Sequence, residues 1–359
     1  MNCSIITIHH IHNFGSVFQA YALYQFLKEN GYEVEIIDYR PVYYKQGKNR
    51  LKTILGKLLN FYPYVTRKKK FEDFIQQHNG LSPKTFRTLQ ELKEFYKDRD
   101  QIVIAGGDQL WNNYHPCGND DAYKLSFSQA GKKIAYGTSM GRDNFTNQEL
   151  EAIGKQVQDF KCIMLREKST VPMLAAYTQA PVYHVIDPVG LLDVEQLKAT
   201  AKKPNISEPY AVMYLADTSE LLDATVEELS KKLGLRIIHI CGFRKKCYCD
   251  VFAKDVGPEE ILGYILHADF VLSASFHATM FSLLFEKQFA TLLPGEKTNA
   301  RIQDMLAFVG LEDRILHNKS QISCIEKEID YSSVRGKINQ FRKASQQMLL
   351  DCLNGLEKK

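Results

Sequence analysis

Short apolar runs that break into glycine and small polar or charged residues recur along this chain, and between them the apolar spacing changes to that of a helix. Gln101-Ile102-Val103-Ile104-Ala105 stops at Gly106-Gly107-Asp108-Gln109, Lys133-Ile134-Ala135-Tyr136-Gly137 stops at Thr138-Ser139-Met140-Gly141, and Ile163-Met164-Leu165 stops at Arg166-Glu167-Lys168. A strand that is apolar throughout is buried on both faces, which is the habit of parallel sheets, and its carboxyl-end loop is where ligands are handled. The start of the chain repeats the pattern. Residues 2–8 run apolar, the turn Asn13-Phe14-Gly15-Ser16 follows, and Val17, Ala20, Tyr21, Tyr24 and Leu27 recur at helical spacing before Asn30-Gly31. Glu33 to Tyr39 then reads as a second strand ended by Pro41. This β-loop-α-β unit lacks G-x-G-x-x-G, and a single glycine cannot wrap a pyrophosphate, so a dinucleotide cofactor is disfavoured.

With 359 residues, there is room for two cores. Val185-Ile186-Asp187-Pro188 closes a first series, a linker with Lys202, Lys203, Pro204 and Pro209 follows, and Tyr210-Ala211-Val212-Met213-Tyr214-Leu215 begins a second. The second series continues with a helix near 219–233, the strand Arg236 to Ile240, a helix from Pro258 to His267, the strand leading to His277 and the strand Phe289 to Leu293. The expected class is α/β, with two Rossmann-like domains facing across a cleft: residues 1–200, with a basic helical excursion at 42–80, and residues 205–330. Residues 332–359 are expected to form a C-terminal helix that crosses back over the first domain.

Composition narrows the function. No apolar stretch is long enough for a transmembrane helix, and the first residues read as a strand rather than a signal peptide. The eight cysteines show no disulfide-framework spacing, which fits a reducing cytoplasm. A net charge of +4 is too mild to argue for nucleic acid.

The most informative segment is Phe270-Val271-Leu272-Ser273-Ala274-Ser275-Phe276-His277-Ala278-Thr279-Met280-Phe281-Ser282. It reads as a buried strand, a tight turn and a helix for which Ser275 is placed as N-cap. One imidazole therefore sits at a strand's carboxyl end and over a helix N-terminus, where open α/β sheets bind ligands and anions are attracted.

Other clusters carry two readings each. His9, His10 and His12 crowd the end of the first strand; His10 and His12 share a face as a metal pair would, but no Asp, Glu or Cys completes a site nearby, and sugar-contacting or plain turn residues are the alternatives. Cys241, Cys247 and Cys249 lack zinc spacing and a fourth ligand. Leu51, Ile54, Leu55, Leu58 and Leu59 form a helical stripe flanked by Lys45, Lys48, Arg50, Lys52 and Lys57, with a second basic run from Arg67 to Lys70. It reads either as a peripheral membrane contact over residues 45–70 or as a helix packed on its own domain with a solvated basic face. Trp111 could stack on a sugar ring or plug the core.

Taken together, Asn13-Phe14-Gly15-Ser16-Val17-Phe18-Gln19-Ala20-Tyr21-Ala22-Leu23, Gly107-Asp108-Gln109-Leu110-Trp111-Asn112, Arg166-Glu167-Lys168-Ser169, Asp187-Pro188 and Ser273-Ala274-Ser275-Phe276-His277-Ala278-Thr279 resemble the polysaccharide pyruvyl transferase family, in the family's order and over roughly residues 2–320. The resemblance implies a fold like the B-type glycosyltransferases. It also implies transfer of pyruvate from phosphoenolpyruvate, a co-substrate, to two hydroxyls of a saccharide or lipid-linked saccharide, forming a ketal. No cofactor and no metal are implied. The family's catalytic histidine falls on His277; its arginine two residues earlier is replaced here by Ser275. Arg301 is the candidate substitute, with Arg166, Ser275, Phe276 and Asn299 as further donor contacts. Asp108 is the second catalytic candidate, to accept an acceptor hydroxyl's proton or to hydrogen-bond the sugar, and Asn13, Gly15, Ser16, Ser139 and Trp111 are the candidate acceptor contacts. Two alternatives stay open: a glycosyltransferase using a nucleotide-sugar, and a non-catalytic carbohydrate-binding relative. The expected location is the cytoplasm, with a peripheral contact at the inner membrane face.

Overall fold

The structure is a computed structural model that describes residues 2–45, 61–129, 131–214, 219–240, 248–293 and 300–357. The chain divides into two units: Met1–Lys48, Ile75–Leu192 and Asn339–Lys359 make the first, and Asn49–Phe74 and Asp193–Ile338 make the second. Most of the basic stripe around Leu51–Leu59, together with Cys241, Cys247 and Asn299, lies outside the described residues.

Six strands form the sheet of the first unit: β1 (Asn2–Ile6), β2 (Glu33–Ile36), β3 (Ile102–Gly106), β4 (Lys133–Thr138), β5 (Cys162–Leu165) and β6 (Val182–His184). All neighbours are parallel, in the order β2-β1-β3-β4-β5-β6. β3, β4 and β5 are buried along their whole length, in keeping with their mostly apolar residues; Lys133, which opens β4, is satisfied by Asp159 at 2.7 Å. Between β1 and β3 the order of winding reverses, and ligands of doubly wound sheets bind outside the carboxyl ends at such a reversal.

The helix Phe14–Glu29 fills the crossover after β1. Every residue from Phe14 to Leu23 is buried, so the first part of this helix is enclosed on all sides rather than amphipathic. Asn13 caps its start by accepting the Ser16 N–H, and Gly31, at φ +85°, turns the chain into β2.

Val185-Ile186, which closes the first series, comes just after β6, where Val182 pairs with Ile163. Ile186 is buried, but its N–H donates to the Ser345 hydroxyl at 2.9 Å instead of to a strand. Val185 still donates its N–H to the Leu165 carbonyl of β5 at 2.9 Å, and the apolar character of Ile186 beyond it marks core contact.

In the second unit the strands are β7 (Tyr210–Tyr214), β8 (Arg236–Ile240), β9 (Val251–Ala253), β10 (Phe270–Ser273), β11 (Gln288–Leu292) and β12 (Ile315–Leu316). They pair in parallel in the order β12-β11-β10-β7-β8-β9, so winding reverses between β7 and β10. β9 and β12 are edge strands of three and two residues, too short to show a periodicity.

The helix Tyr331–Glu357 begins among residues of the second unit and ends among those of the first. Within the first unit, Arg342 donates to the Gly190 carbonyl, Gln346 to the Leu191 carbonyl, and Asn354 accepts from the Tyr32 hydroxyl.

Candidate active site

The reversal of winding in the second unit is where β10 ends. The Ser273 hydroxyl donates to the carbonyl of Tyr214, at the end of β7, and accepts the Ser275 N–H at 2.9 Å. One short side chain thereby ties the turn to the neighbouring strand. Ser275 occupies the N-cap position with extended backbone, and its carbonyl accepts both the N–H and the hydroxyl of Thr279. Its own hydroxyl makes no capping bond, and the first turn of the Phe276–Leu284 helix contains no acidic residue. The first-turn N–H groups and the positive end of the helix dipole thus have neither a capping hydroxyl from Ser275 nor a carboxylate in their own turn. An external anion would find donors already oriented there.

His277 is the second residue of this helix, buried, with its ring edge-on to Phe276 at 5.4 Å between centroids. Arg301, one residue into the helix Ala300–Val309, lies with its guanidinium carbon 5.7 Å from the centroid of the Phe276 ring. Phe276 therefore acts as the surface on which a cation is held beside the histidine and the helix start. Ser275, Phe276, His277 and Arg301 lie together at this helix start.

In the first unit the corresponding place is the reversal between β1 and β3. After β3 the chain turns through Gly107 at φ +66° and Asp108 at φ +53°. A Cβ on Gly107 would come within 2.1 Å of the Gln19 Oε1, so glycine is required there on both counts. Gln19 accepts the Asp108 N–H through that oxygen, and the Asp108 carbonyl accepts the Ser139 N–H at 2.8 Å. One carboxylate oxygen of Asp108 accepts from Ser16 Oγ at 2.6 Å and the other from the Gln109 N–H at 2.8 Å. Asn13, exposed, and Gly15 and Ser16, buried, form the helix start beside it. The carboxylate is fixed in orientation and only partly buried.

Residues 13–294 match the family described as polysaccharide pyruvyl transferase. The chain belongs to the polysaccharide pyruvyl transferase family. Comparison with curated proteins gives no match. Among solved structures, this family member is similar to the UDP-GlcNAc 2-epimerase of Methanocaldococcus jannaschii, at 12% identity and a TM-score of 0.57 over 99% of this chain and 100% of that one. A putative UDP-N-acetylglucosamine 2-epimerase from Listeria monocytogenes gives 10% identity and a TM-score of 0.57 over 100% and 97% of the two chains. A glycosyltransferase from Rickettsia africae gives 12% and 0.52 over 100% and 99%. At such identities the likeness concerns the fold alone, which is α/β and of the B-type glycosyltransferase kind.

Three expected contacts of this pyruvyl transferase family member are placed differently. Trp111 is fully buried and its indole N–H donates to the Tyr123 carbonyl at 2.9 Å, so it is a core plug with no face for a sugar. Ser139 is fully buried, donates to Glu167 Oε1 and accepts the Gly141 N–H; its hydroxyl orients a carboxylate instead of meeting an acceptor. The Arg166 side chain is inaccessible to solvent, 2.6 Å from Asp187 Oδ2 and 3.7 Å from Glu167 Oε1. Burial favours its neutral form, but these carboxylates overcome that and raise its pKa. Arg166 holds the carboxyl end of β5 together and is not presented to a dissolved donor.

The histidines after β1 also separate. His9 bonds through Nε2 to Asp38 Oδ1 at 2.9 Å, and Asp38 also accepts from Arg40 and Thr85. Burial would raise the Asp38 pKa, yet the hydrogen bonds from His9, Arg40 and Thr85 outweigh it and hold the carboxyl well below its usual range. His10 packs edge-on against Tyr44 at 5.0 Å. Burial, reinforced by His9 and Arg40, lowers its pKa to about 3, so its imidazole is neutral at physiological pH. Beside it, Tyr39 and Tyr43 both donate to Asp120 Oδ2. This aromatic wall of His10, Tyr43 and Tyr44 was missed from the sequence, where Tyr43-Tyr44 after Pro41 was its only sign.

Proposed function

We propose that this chain transfers pyruvate from phosphoenolpyruvate to two hydroxyls of a saccharide, as a ketal. The observation that carries the reading is the uncapped start of the Phe276–Leu284 helix with His277 in it and Arg301 held beside it by Phe276. Phosphoenolpyruvate bears a phosphate and a carboxylate. The helix N–H groups suit one and the planar guanidinium of Arg301 the other, supplying from a different helix the cation that Ser275 does not.

In the reaction, His277 delivers a proton to the enol carbon and leaves an oxocarbenium-like centre at the carbon bearing phosphate. One sugar hydroxyl adds, the bond to phosphate breaks, and the second hydroxyl closes the ketal. One hydroxyl proton ends on the new methyl group and the other leaves with phosphate, so His277 is returned to its starting state. Asp108, oriented by Ser16 and Gln109, is assigned to an acceptor hydroxyl.

Calorimetry with phosphoenolpyruvate tests the donor. Wild type should bind, and Arg301→Ala should weaken binding by about 10²-fold, the worth of a charge-assisted pair. Binding of a nucleotide-sugar but not of phosphoenolpyruvate, with no effect of Arg301→Ala, would transfer the assignment to glycosyl transfer.

A lipid-linked acceptor, met in the cytoplasm at a membrane face, is the finer form of the proposal. Among the described residues no helix is long and apolar enough to cross a membrane. The helix Phe61–His78, however, exposes Phe61, Tyr62 and Val65 near the exposed Lys68 and Lys69. Lys70 and Arg67 are otherwise engaged, Lys70 with Glu260 at 2.8 Å and Arg67 over the Phe71 ring. Wild type should sediment with anionic phosphatidylglycerol vesicles and lose most of that binding on Phe61→Ser with Tyr62→Ser. Equal recovery of wild type in the supernatant with and without vesicles would remove the membrane contact.

A further inference from the structure

The first unit carries a dithiol that pyruvyl transfer does not use. Cys162 opens β5 and is buried; Cys352 lies on the Tyr331–Glu357 helix and is partly exposed. Both line a groove of about 560 Å³ whose other walls include Lys161, Tyr183, Gln347 and Asp351. Among the described cysteines, Cys3, Cys117, Cys249 and Cys324 are buried.

We propose that Cys352 and Cys162 are the nucleophilic and resolving thiols of an exchange-active pair whose substrates are anionic low-molecular-weight disulfides. Three observations assign the roles. Cys352 is the more accessible of the two and reaches the groove. The two thiols line the same groove and interact with one another, which lowers the Cys352 pKa and raises that of Cys162; burial opposes the first effect and adds to the second. The ammonium of Lys161 favours a thiolate at the same place and an anionic reagent in the groove. Asp351 is the opposing charge in the wall.

The step balances without a cofactor. The Cys352 thiolate attacks one sulfur of the small disulfide, the S–S bond breaks and one thiolate leaves. Cys162 then loses its proton and attacks the Cys352 sulfur, expelling the second thiolate. The protein has lost two electrons to the reagent, which ends as two thiols. The new bond joins β5 to the last helix, which Arg342, Gln346 and Asn354 also hold by hydrogen bonds within this unit.

The native protein is incubated with oxidised glutathione, alkylated, digested without reduction and mapped by mass spectrometry. The expected product in wild type is the Cys162–Cys352 linked peptide pair, with two free thiols lost. Cys162→Ser should instead stop at a glutathione adduct on Cys352, and Cys352→Ser should show neither product. Before oxidation, Cys352 should alkylate at least roughly tenfold faster than the buried cysteines. An unmodified Cys352 in wild type, or a lasting adduct on it with no link to Cys162, overturns the proposal. Because the linked peptide is sought in wild type, misfolding of a variant does not blur the result.

Discussion

Replacing His277 with asparagine is expected to lower turnover by roughly 10²–10⁴-fold, the usual contribution of a positioned acid–base group. Phosphoenolpyruvate binding should change by only a few-fold, because the donor's anionic groups are assigned to the helix N–H groups and Arg301. The contrast between binding and turnover separates this role from a packing role. His277 is buried against Phe276, so a purely structural histidine would take donor binding, thermal stability and turnover down together. His277→Gln, longer by one methylene, serves as the second variant. If either variant folds as wild type and turns over within a few-fold of it, the proton donor lies elsewhere. The opposite pattern, lost donor binding with residual turnover at high donor concentration, is what Arg301→Ala should give.

The largest effect on stability is expected at Arg166. Its guanidinium neutralises Asp187 and faces Glu167, and all three side chains are inaccessible to solvent. Arg166→Met would leave buried carboxylates without their cation, a change that costs about 3–5 kcal/mol. Removing a partner is more damaging than removing a pair. Asp187 also accepts the Val189 N–H at 3.0 Å, so Asp187→Asn retains an acceptor there while discarding the charge. The double variant Arg166→Met with Asp187→Asn should therefore recover part of the loss, by a coupling of about 0.5–3 kcal/mol. Urea unfolding of the wild type, the two single variants and the double variant measures the cycle. A loss below about 1 kcal/mol for Arg166→Met would mean that water or another group reaches those carboxylates.

These two residues also show what the sequence makes legible. His277 was identifiable because its context is local: an apolar strand, a turn and a helix, contiguous within thirteen residues from Phe270 to Ser282. The parallel character of both sheets was likewise local, since strands buried on both faces carry unbroken apolar runs. Arg166 was ambiguous for the converse reason. Its residue type and its position after a strand suit a donor contact, and only the approach of Asp187, twenty-one residues later, commits it to the interior. Trp111 and Ser139 failed alike, because an aromatic ring or a hydroxyl at a strand's end reads the same whether it faces solvent or core. Short edge strands such as β12 escaped because two residues carry no period.

By itself the sequence determined the family, the α/β class, most of the strands and the histidine over a helix start, all properties of contiguous segments whose periodicity and turn chemistry are set by neighbours along the chain. Only the tertiary structure decided that Phe276 carries Arg301 to that helix start, that Ser16 and Gln109 orient Asp108, and that Cys162 meets Cys352. Each is a pairing of residues distant in sequence, and the choice among such pairings is made by how the sheets order their strands and how the helices pack on them. Burial then decides whether a polar side chain serves the core or a ligand, because the same group that must be satisfied internally when enclosed is available for chemistry when a face of it is open.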